Sequence, residues 1–320
     1  MRIAIAGGTG FLGGHVVSAL TSEGHSAVLI SRGRRDSGEP RASVVGITWD
    51  AASAPAPAGL LRGYDALVNL IGIKRETGTQ TFERVHVDAT RHLLLAASQA
   101  GIRRVIQISV VCSRPDARSA YHDSKWRAEE LVRRSGLDWT ILKPGVIYGR
   151  GDDMLTHLVK MIRFSPIFPV VGKGRSILQP IAAADVASMV LAALGNKATA
   201  GKSYDCVGPV QIPLRNVVRI VAQGIGLKVF ILATPVWLQR LAVRLMNAVS
   251  KNPLSTPAQL QMLIDGMTGD CEPAMRDLGV KPGRLTPERV GELGGHVPPL
   301  FGLSLRVRGG RSTSTISPAV

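Results

Sequence analysis

Tyr121-His122-Asp123-Ser124-Lys125 sets a phenol and an ammonium four residues apart, which on a helix stacks them on one face. A free tyrosine, with a pKa near 10, is a poor proton carrier at neutral pH. A lysine cation about 4 Å away, at an effective dielectric near 20, is strong enough to draw the phenol toward neutrality, where a general acid–base works best. Ser109, upstream at the end of an apolar run, is expected to donate a hydrogen bond to a substrate oxygen. Such a set supports proton transfer at a carbonyl or an alcohol.

A second cluster carries no reactive group. Gly7-Gly8-Thr9-Gly10-Phe11-Leu12-Gly13 ends an apolar run and opens a helical pattern. One glycine permits a tight turn, one lets backbone approach a pyrophosphate, and one lets helix and strand pack closely. The helix start offers free N–H groups and a positive dipole end to phosphates. Strand, turn and helix follow in order, so the segment reads as a dinucleotide site built on Gly7, Gly10 and Gly13 with Phe11 and Leu12 between them. After the second predicted strand an acid would bond the ribose 2′-hydroxyl of NAD, whereas an arginine accommodates the 2′-phosphate of NADP. Here stand Ser31-Arg32-Gly33-Arg34-Arg35, with no acid before Asp36. A guanidinium fork fits phosphate oxygens and a serine adds a donor, so NADP(H) is expected, with NAD(H) as the alternative.

These residues, together with Lys143-Pro144-Gly145-Val146-Ile147-Tyr148-Gly149, resemble the short-chain dehydrogenase/reductase superfamily in its extended, epimerase/dehydratase-like and atypical branches. The similarity is greater to the branch containing the NADPH-binding accessory subunit of respiratory complex I and its bacterial relatives. Val68–Ile73, Phe82–Val87, Tyr121–Leu131, Gly136–Thr140 and Leu178–Ile181 leading to Asp185-Val186-Ala187 carry it. The resemblance spans about residues 1–295. It implies that Asn69 and Gly72 line the adenosine side and that Pro144, Val146 and Ile147 flank the nicotinamide. It also implies that Lys125 bonds the nicotinamide ribose as well as tuning Tyr121. Many extended members carry Asn-Val-x-Gly-Thr where this chain has His86-Val87-Asp88-Ala89-Thr90, and His86 reads as a half-buried helix residue. The branch includes members that bind the cofactor tightly without known turnover.

Positioning these groups requires a doubly wound parallel sheet, a Rossmann fold, over residues 1–150. The apolar runs predict strands at Arg2–Ala6, Ala27–Ser31, Val44–Thr48, Ala66–Ile71, Arg104–Ser109 and Trp139–Lys143, with later segments completing the sheet. Helices are predicted at Phe11–Glu23, Thr81–Ala100 and Ser119–Ser135. Residues 151–300 read as a smaller mixed α/β unit shaping the substrate side. Its predicted helices are Met154–Phe164, Ala183–Leu194, Leu214–Ile225, Val236–Val249, Thr256–Gly266 and Pro287–Leu293. Short strands are predicted near Ser203–Val207 and Lys228–Leu232. Residues 301–320 read as a disordered basic tail.

The composition, 45% hydrophobic and 19% charged, is that of a globular protein. A net charge of +16 invites anionic partners, but the basic residues look scattered along the chain and no aromatic residues interleave with them. Nucleic acid is therefore not expected. Cys112, Cys206 and Cys271 lack metal spacing and read as reduced thiols in a cytoplasmic setting. The N-terminus runs straight into the glycine turn, so it reads as a strand and not a signal peptide. No apolar stretch reaches the length of a membrane span. Pro235–Lys251 is amphipathic, with Leu238, Leu241, Leu245 and Val249 on one face. Two readings follow. One is an NADP(H)-dependent oxidoreductase acting on a small carbonyl or alcohol through Ser109, Tyr121 and Lys125. The other is a non-catalytic NADPH-binding accessory or assembly subunit of a respiratory complex, peripheral at the inner membrane face.

Overall fold

A computed structural model describes residues 1–33, 44–171, 174–235, 237–239 and 267–294. The first half runs β1 (Arg2–Ala6), α1 (Phe11–Ser22), β2 (Ser26–Ser31), β3 (Val44–Thr48), β4 (Ala66–Asn69), a π-helical turn (Glu83–Asp88), α2 (Ala89–Gln99), β5 (Arg104–Ile108), α3 (Ala120–Arg133) and β6 (Asp138–Pro144). Then come β7 (Ile147–Tyr148), α4 (Asp153–Phe164), β8 (Ile167–Val171), β9 (Ile177–Leu178), β10 (Ile181–Ala182), α5 (Ala183–Gly195) and β11 (Lys202–Cys206). The last described elements are β12 (Ile212–Pro213), α6 (Leu214–Gly224), β13 (Phe230–Thr234), α7 (Glu272–Leu278) and α8 (Pro287–Gly294).

Apolar runs without polar alternation belong to strands covered on both faces. β1 shows how. Ile3 and Ile5 pack with Leu20 of α1 and Val186 and Val190 of α5, while Ala4 and Ala6 pack with Leu93 of α2 and Val132 of α3. The sheet is seven-stranded and parallel, in the order β11-β6-β5-β4-β1-β2-β3. The chain winds outward in opposite directions from β1 and β4. The crevice beyond their C-terminal ends is where such sheets bind ligands.

The strands and helices expected over the first 150 residues form within a few residues of their predicted ends, but a boundary at 150 does not divide the cores. The strand expected at Ser203–Val207 forms as β11 and joins the main sheet beside β6. Its Tyr204 and Cys206 lie in the same core as Ile3, with Leu278 of α7, a helix the periodicity did not signal. Arg104 of β5 ties this return in place, since its buried guanidinium donates to Thr140 Oγ1, Ala193 O and Thr199 Oγ1. A separate core joins α4, β8, α6 and α8, and it includes Tyr121 and Tyr148. The strand expected at Lys228–Leu232 sits two residues later and pairs in parallel with β8. Of the helix expected over Val236–Val249 only residues 237–239 are described, and they are helical. Arg34, Arg35, the Thr256–Gly266 helix and the 301–320 tail lie outside the described residues. Among the described residues no helix is long and apolar enough to cross a membrane.

Candidate functional site

The glycine turn crosses from β1 to α1 at the crevice. Gly7 has φ +81°, a conformation that side chains rarely adopt, and it lies against the backbone of Leu70 and Ile71. A Cβ at Gly13 would collide with the carbonyl oxygens of Gly7 and Gly8, so this glycine lets α1 start directly on the turn. Gly10 is exposed at the N-cap of α1. No side chain caps that helix and its first turn, begun by Phe11 and Leu12, holds no acid. The first N–H groups are thereby left to an incoming anion. These features fit a pyrophosphate.

Ser31 ends β2 and donates its hydroxyl to Gly33 O at 2.8 Å, and Arg32 follows it, exposed. Asn69 ends β4 but presents no polar atom to a ligand. Its amide nitrogen donates to Gln107 Oε1 at 2.9 Å and Thr90 Oγ1 at 3.2 Å, and its oxygen accepts from the Ile71 backbone. Asn69 thus shapes the 69–71 turn from within. Gly72 is exposed, and a Cβ there would come within 3.1 Å of Lys125 Nζ.

Tyr121, Lys125 and Glu129 share a face of α3 at four-residue spacing, and all three are buried. Lys125 Nζ donates to Ile71 O and Ile108 O, each at 3.3 Å, at the ends of β4 and β5. Burial pulls its pKa down to about 8, with Glu129 opposing. The Tyr121 ring packs edge-on to Phe82, His86 and His122. Burial pushes its phenol up to about 12. The expectation that Lys125 lowers the Tyr121 pKa is therefore corrected. Desolvation penalises the phenolate, and the ammonium is spent on two backbone carbonyls.

Ser109 is also placed differently from expectation. Its hydroxyl donates to Glu129 Oε1 at 2.5 Å, and Ser113 donates to the same oxygen. The other oxygen of Glu129 takes Arg133 at 2.6 Å, with Lys143 Nζ 3.8 Å away. An ionised carboxylate only accepts, so both serine protons are committed inward.

Pro144 ends β6 and accepts the Val111 N–H. Val146 accepts from Ile181, and Ile147 pairs with it in the β7–β10 ladder, so this wall of the crevice is fixed by backbone bonds. Three residues near the site were missed from sequence. Glu129 was signalled by its spacing, eight residues beyond Tyr121 on one helix face. Ser113 and Ser119 were not, since both lie in or beside an irregular loop. Ser119 Oγ is buried without a hydrogen-bond partner among the described residues. His86, expected to be half-buried, is fully buried, and burial with the Lys125 charge lowers its pKa to about 2. A cleft of about 450 Å³ opens between β12, α6 and the Arg284–Leu285 segment, and none of the residues above lines it. Among the described residues no group of three His, Cys, Asp or Glu could hold a metal ion.

A family profile described as NAD(P)H-binding matches residues 7–197, from the glycine turn through α5. A mitochondrial NADH dehydrogenase [ubiquinone] 1 alpha subcomplex subunit 9 of Arabidopsis thaliana is 30% identical over 219 residues, 64% of this chain and 53% of the plant protein. A ceramide reductase of Caulobacter vibrioides is 33% identical over 175 residues, 53% of this chain and 54% of that enzyme. The chain thus spans about half the length of either relative. A UDP-glucuronic acid 4-epimerase of Bacillus cereus, solved with NAD, shares the fold at a TM-score of 0.72 and 18% identity, covering 93% of this chain and 98% of the epimerase. The profile covers well over half of the sequence, and its span contains the turn, the Ser31 end of β2 and the Tyr121–Lys125 face. The chain belongs to the NAD(P)H-binding family, on a Rossmann fold shared with the NAD-bound epimerase.

Proposed function

We propose that the protein is an NADP(H)-dependent oxidoreductase that reduces a small carbonyl substrate, with Tyr121 as the proton donor. The observation that carries this is the buried Tyr121–Lys125 pair beside Gly72, at the crevice of the family's cofactor fold. The glycine turn with Phe11 and Leu12 would hold the pyrophosphate. Ser31 and Arg32 would meet the adenosine ribose, its 2′-phosphate included. Gly72, Pro144, Val146 and Ile147 would flank the remainder, with Lys125 donating to the nicotinamide ribose. The reduced nicotinamide supplies a hydride.

The chain's own residues supply the proton and the shape. At a pKa near 12 the Tyr121 phenol is protonated at neutral pH, and it would donate to the carbonyl oxygen as that oxygen becomes an alkoxide, a stronger base than the phenolate. Ser109, its proton held by Glu129, cannot polarise the same carbonyl. It instead accepts from a hydroxyl or amide N–H elsewhere on the substrate, which favours hydroxy- or amido-carbonyl compounds.

The test is NADPH consumption across a panel of carbonyl compounds, hydroxylated and not. Tyr121→Phe is expected to lower turnover by about two to four powers of ten while leaving NADPH affinity within a few-fold. Turnover that survives the substitution overturns the assignment of Tyr121.

A second reading is favoured by the similarity to the plant NADH dehydrogenase subunit. In it the protein is a non-catalytic NADPH-binding accessory subunit of a respiratory complex, on the cytoplasmic side and peripheral at the membrane surface. Tight NADPH binding without consumption of any carbonyl, together with co-purification with a membrane complex, supports that reading.

A further inference from the structure

The ladder of β8 and β13 turns its apolar side outward. Its strands run parallel, with Ile167 beside Phe230 and Pro169 beside Leu232. The alternate residues Phe168 and Val170 are buried in the C-terminal core. Ile167, Pro169, Phe230 and Leu232 form the other row, and all four are exposed. Parallel strands are ordinarily covered on both faces, and a half-covered sheet ordinarily shows polar side chains to water. Here the outer row is wholly apolar. Phe164 at the end of α4 is 74% exposed, Phe230 79% and Trp237 67%. Among the described residues, seven of the nine exposed large hydrophobic side chains fall within residues 164–167 and 227–238. Single exposed apolar residues are ordinary, whereas a contiguous patch marks a binding surface.

Two stretches of the sequence in this half are one-sided in charge. Residues 154–184 hold four Lys or Arg and residues 206–264 hold six, and neither stretch contains an Asp or Glu. Ten of the sixteen net positive charges arise there. Among the described residues Arg163 is exposed beside Phe164, and Lys228 is exposed two residues from Phe230.

We infer that the β8–β13 face, with Phe164, Phe230 and Trp237, docks the protein on an anionic lipid bilayer. Aromatic and aliphatic side chains enter the boundary between headgroups and acyl chains, and surrounding cations are drawn to anionic headgroups. A second copy would bring Arg163 and Lys228 at the edge of one face against the same cations of the other, which charge repulsion opposes. Nucleic acid is disfavoured because the outer row offers no donors to phosphate. The inference rests on the membrane-surface reading above and names the face that meets the lipid. Neither needs turnover at Tyr121.

The full chain with NADPH is pelleted with vesicles of equal parts phosphatidylcholine and phosphatidylglycerol, and with vesicles of phosphatidylcholine alone, at low and high salt. The protein is expected to pellet with the anionic vesicles, less so as salt rises. Phe230→Ser and Trp237→Ser should each weaken partitioning by about tenfold, and Lys228→Glu by roughly fivefold. NADPH affinity should stay unchanged in all three, which also shows that they fold. Brominated acyl chains should quench a fluorescence component that Trp237→Ser removes. No partitioning at low salt overturns the inference. So does partitioning that survives Phe230→Ser and Trp237→Ser combined, or a lipid-indifferent dimer that Phe230→Ser dissociates. Vesicle binding without carbonyl turnover leaves the docking face standing, and turnover without vesicle binding leaves only the enzymatic reading.

Discussion

His86 Nδ1 and Ser124 Oγ lie 2.8 Å apart, and this bond locates the proton on a buried imidazole. The Ile73 N–H donates to Nε2 at 3.1 Å, so Nε2 is the acceptor and Nδ1 carries the hydrogen. Ser124 takes that hydrogen and passes its own to Tyr121 O at 2.9 Å. The π-helical turn, the 71–73 segment and the Tyr121 turn of α3 are thereby joined through one neutral ring.

A neutral His86 makes folding depend on acid. Its folded pKa of about 2 lies below the usual 6.5, so the unfolded chain binds the extra proton between those values and stability falls as pH drops below 6.5. The loss at pH 5 relative to neutrality is about 2 kcal/mol. His86→Asn, which restores the family's usual residue type, should flatten that limb in urea titrations at a series of pH values. An unchanged slope between pH 6.5 and 5 would show that His86 is not held neutral.

Glu129 holds Ser109 in place, so the two should act as one unit. Glu129→Gln supplies a single carbonyl acceptor where the carboxylate met two hydroxyls and Arg133. It is expected to cost about 2 kcal/mol of stability. It should also lower turnover as far as Ser109→Ala does, with the double variant no worse than either single one. Additive kinetic losses would mean that Glu129 acts on the reaction independently of Ser109.

The two outer glycines of the turn should fail for different reasons. Gly10→Val, at an exposed position with little in its way, should leave a folded protein that no longer binds NADPH by calorimetry. Gly13→Ala places a methyl against the backbone of Gly7 and Gly8 and should lower the melting temperature itself. Full NADPH affinity in folded Gly10→Val would remove the pyrophosphate from this turn.

Cofactor choice should follow Arg32. Arg32→Asp exchanges a phosphate partner for a hydroxyl partner at the end of β2. NADPH affinity should drop by at least about tenfold while NADH affinity is kept or improved, with the tenfold equal to about 1.4 kcal/mol. Equal losses for both would show that Arg32 does not face the ribose.

Much of the first half was legible because its signals are local. The apolar runs of β1, β2, β4 and β5 read as strands covered on both faces, and Tyr121 and Lys125 face one way on any helix. Partners distant in sequence were not legible. Nothing in Ser109 announces that its proton is held by Glu129, or that Asn69 spends its amide on Thr90 and Gln107. The strength of burial was also hidden, and it outweighs the Lys125 charge in setting the Tyr121 phenol. The return of Lys202–Cys206 to the main sheet was expected only in outline, since a strand signal over Ser203–Val207 does not name its neighbour.

The pairing of β11 with β6 also constrains the order in which the molecule can be made. When β6 leaves the ribosome its outer edge is an unpaired row of amides and carbonyls, and the acceptors of Arg104 at Ala193 and Thr199 do not yet exist. At about 5–20 residues per second, β11 follows several seconds later. Through that interval the nascent sheet has an open apolar edge, the kind that recruits other chains. A chain stopped after about residue 150 would carry that edge permanently, so the first half on its own should be a poor folding unit and a ready client for chaperones.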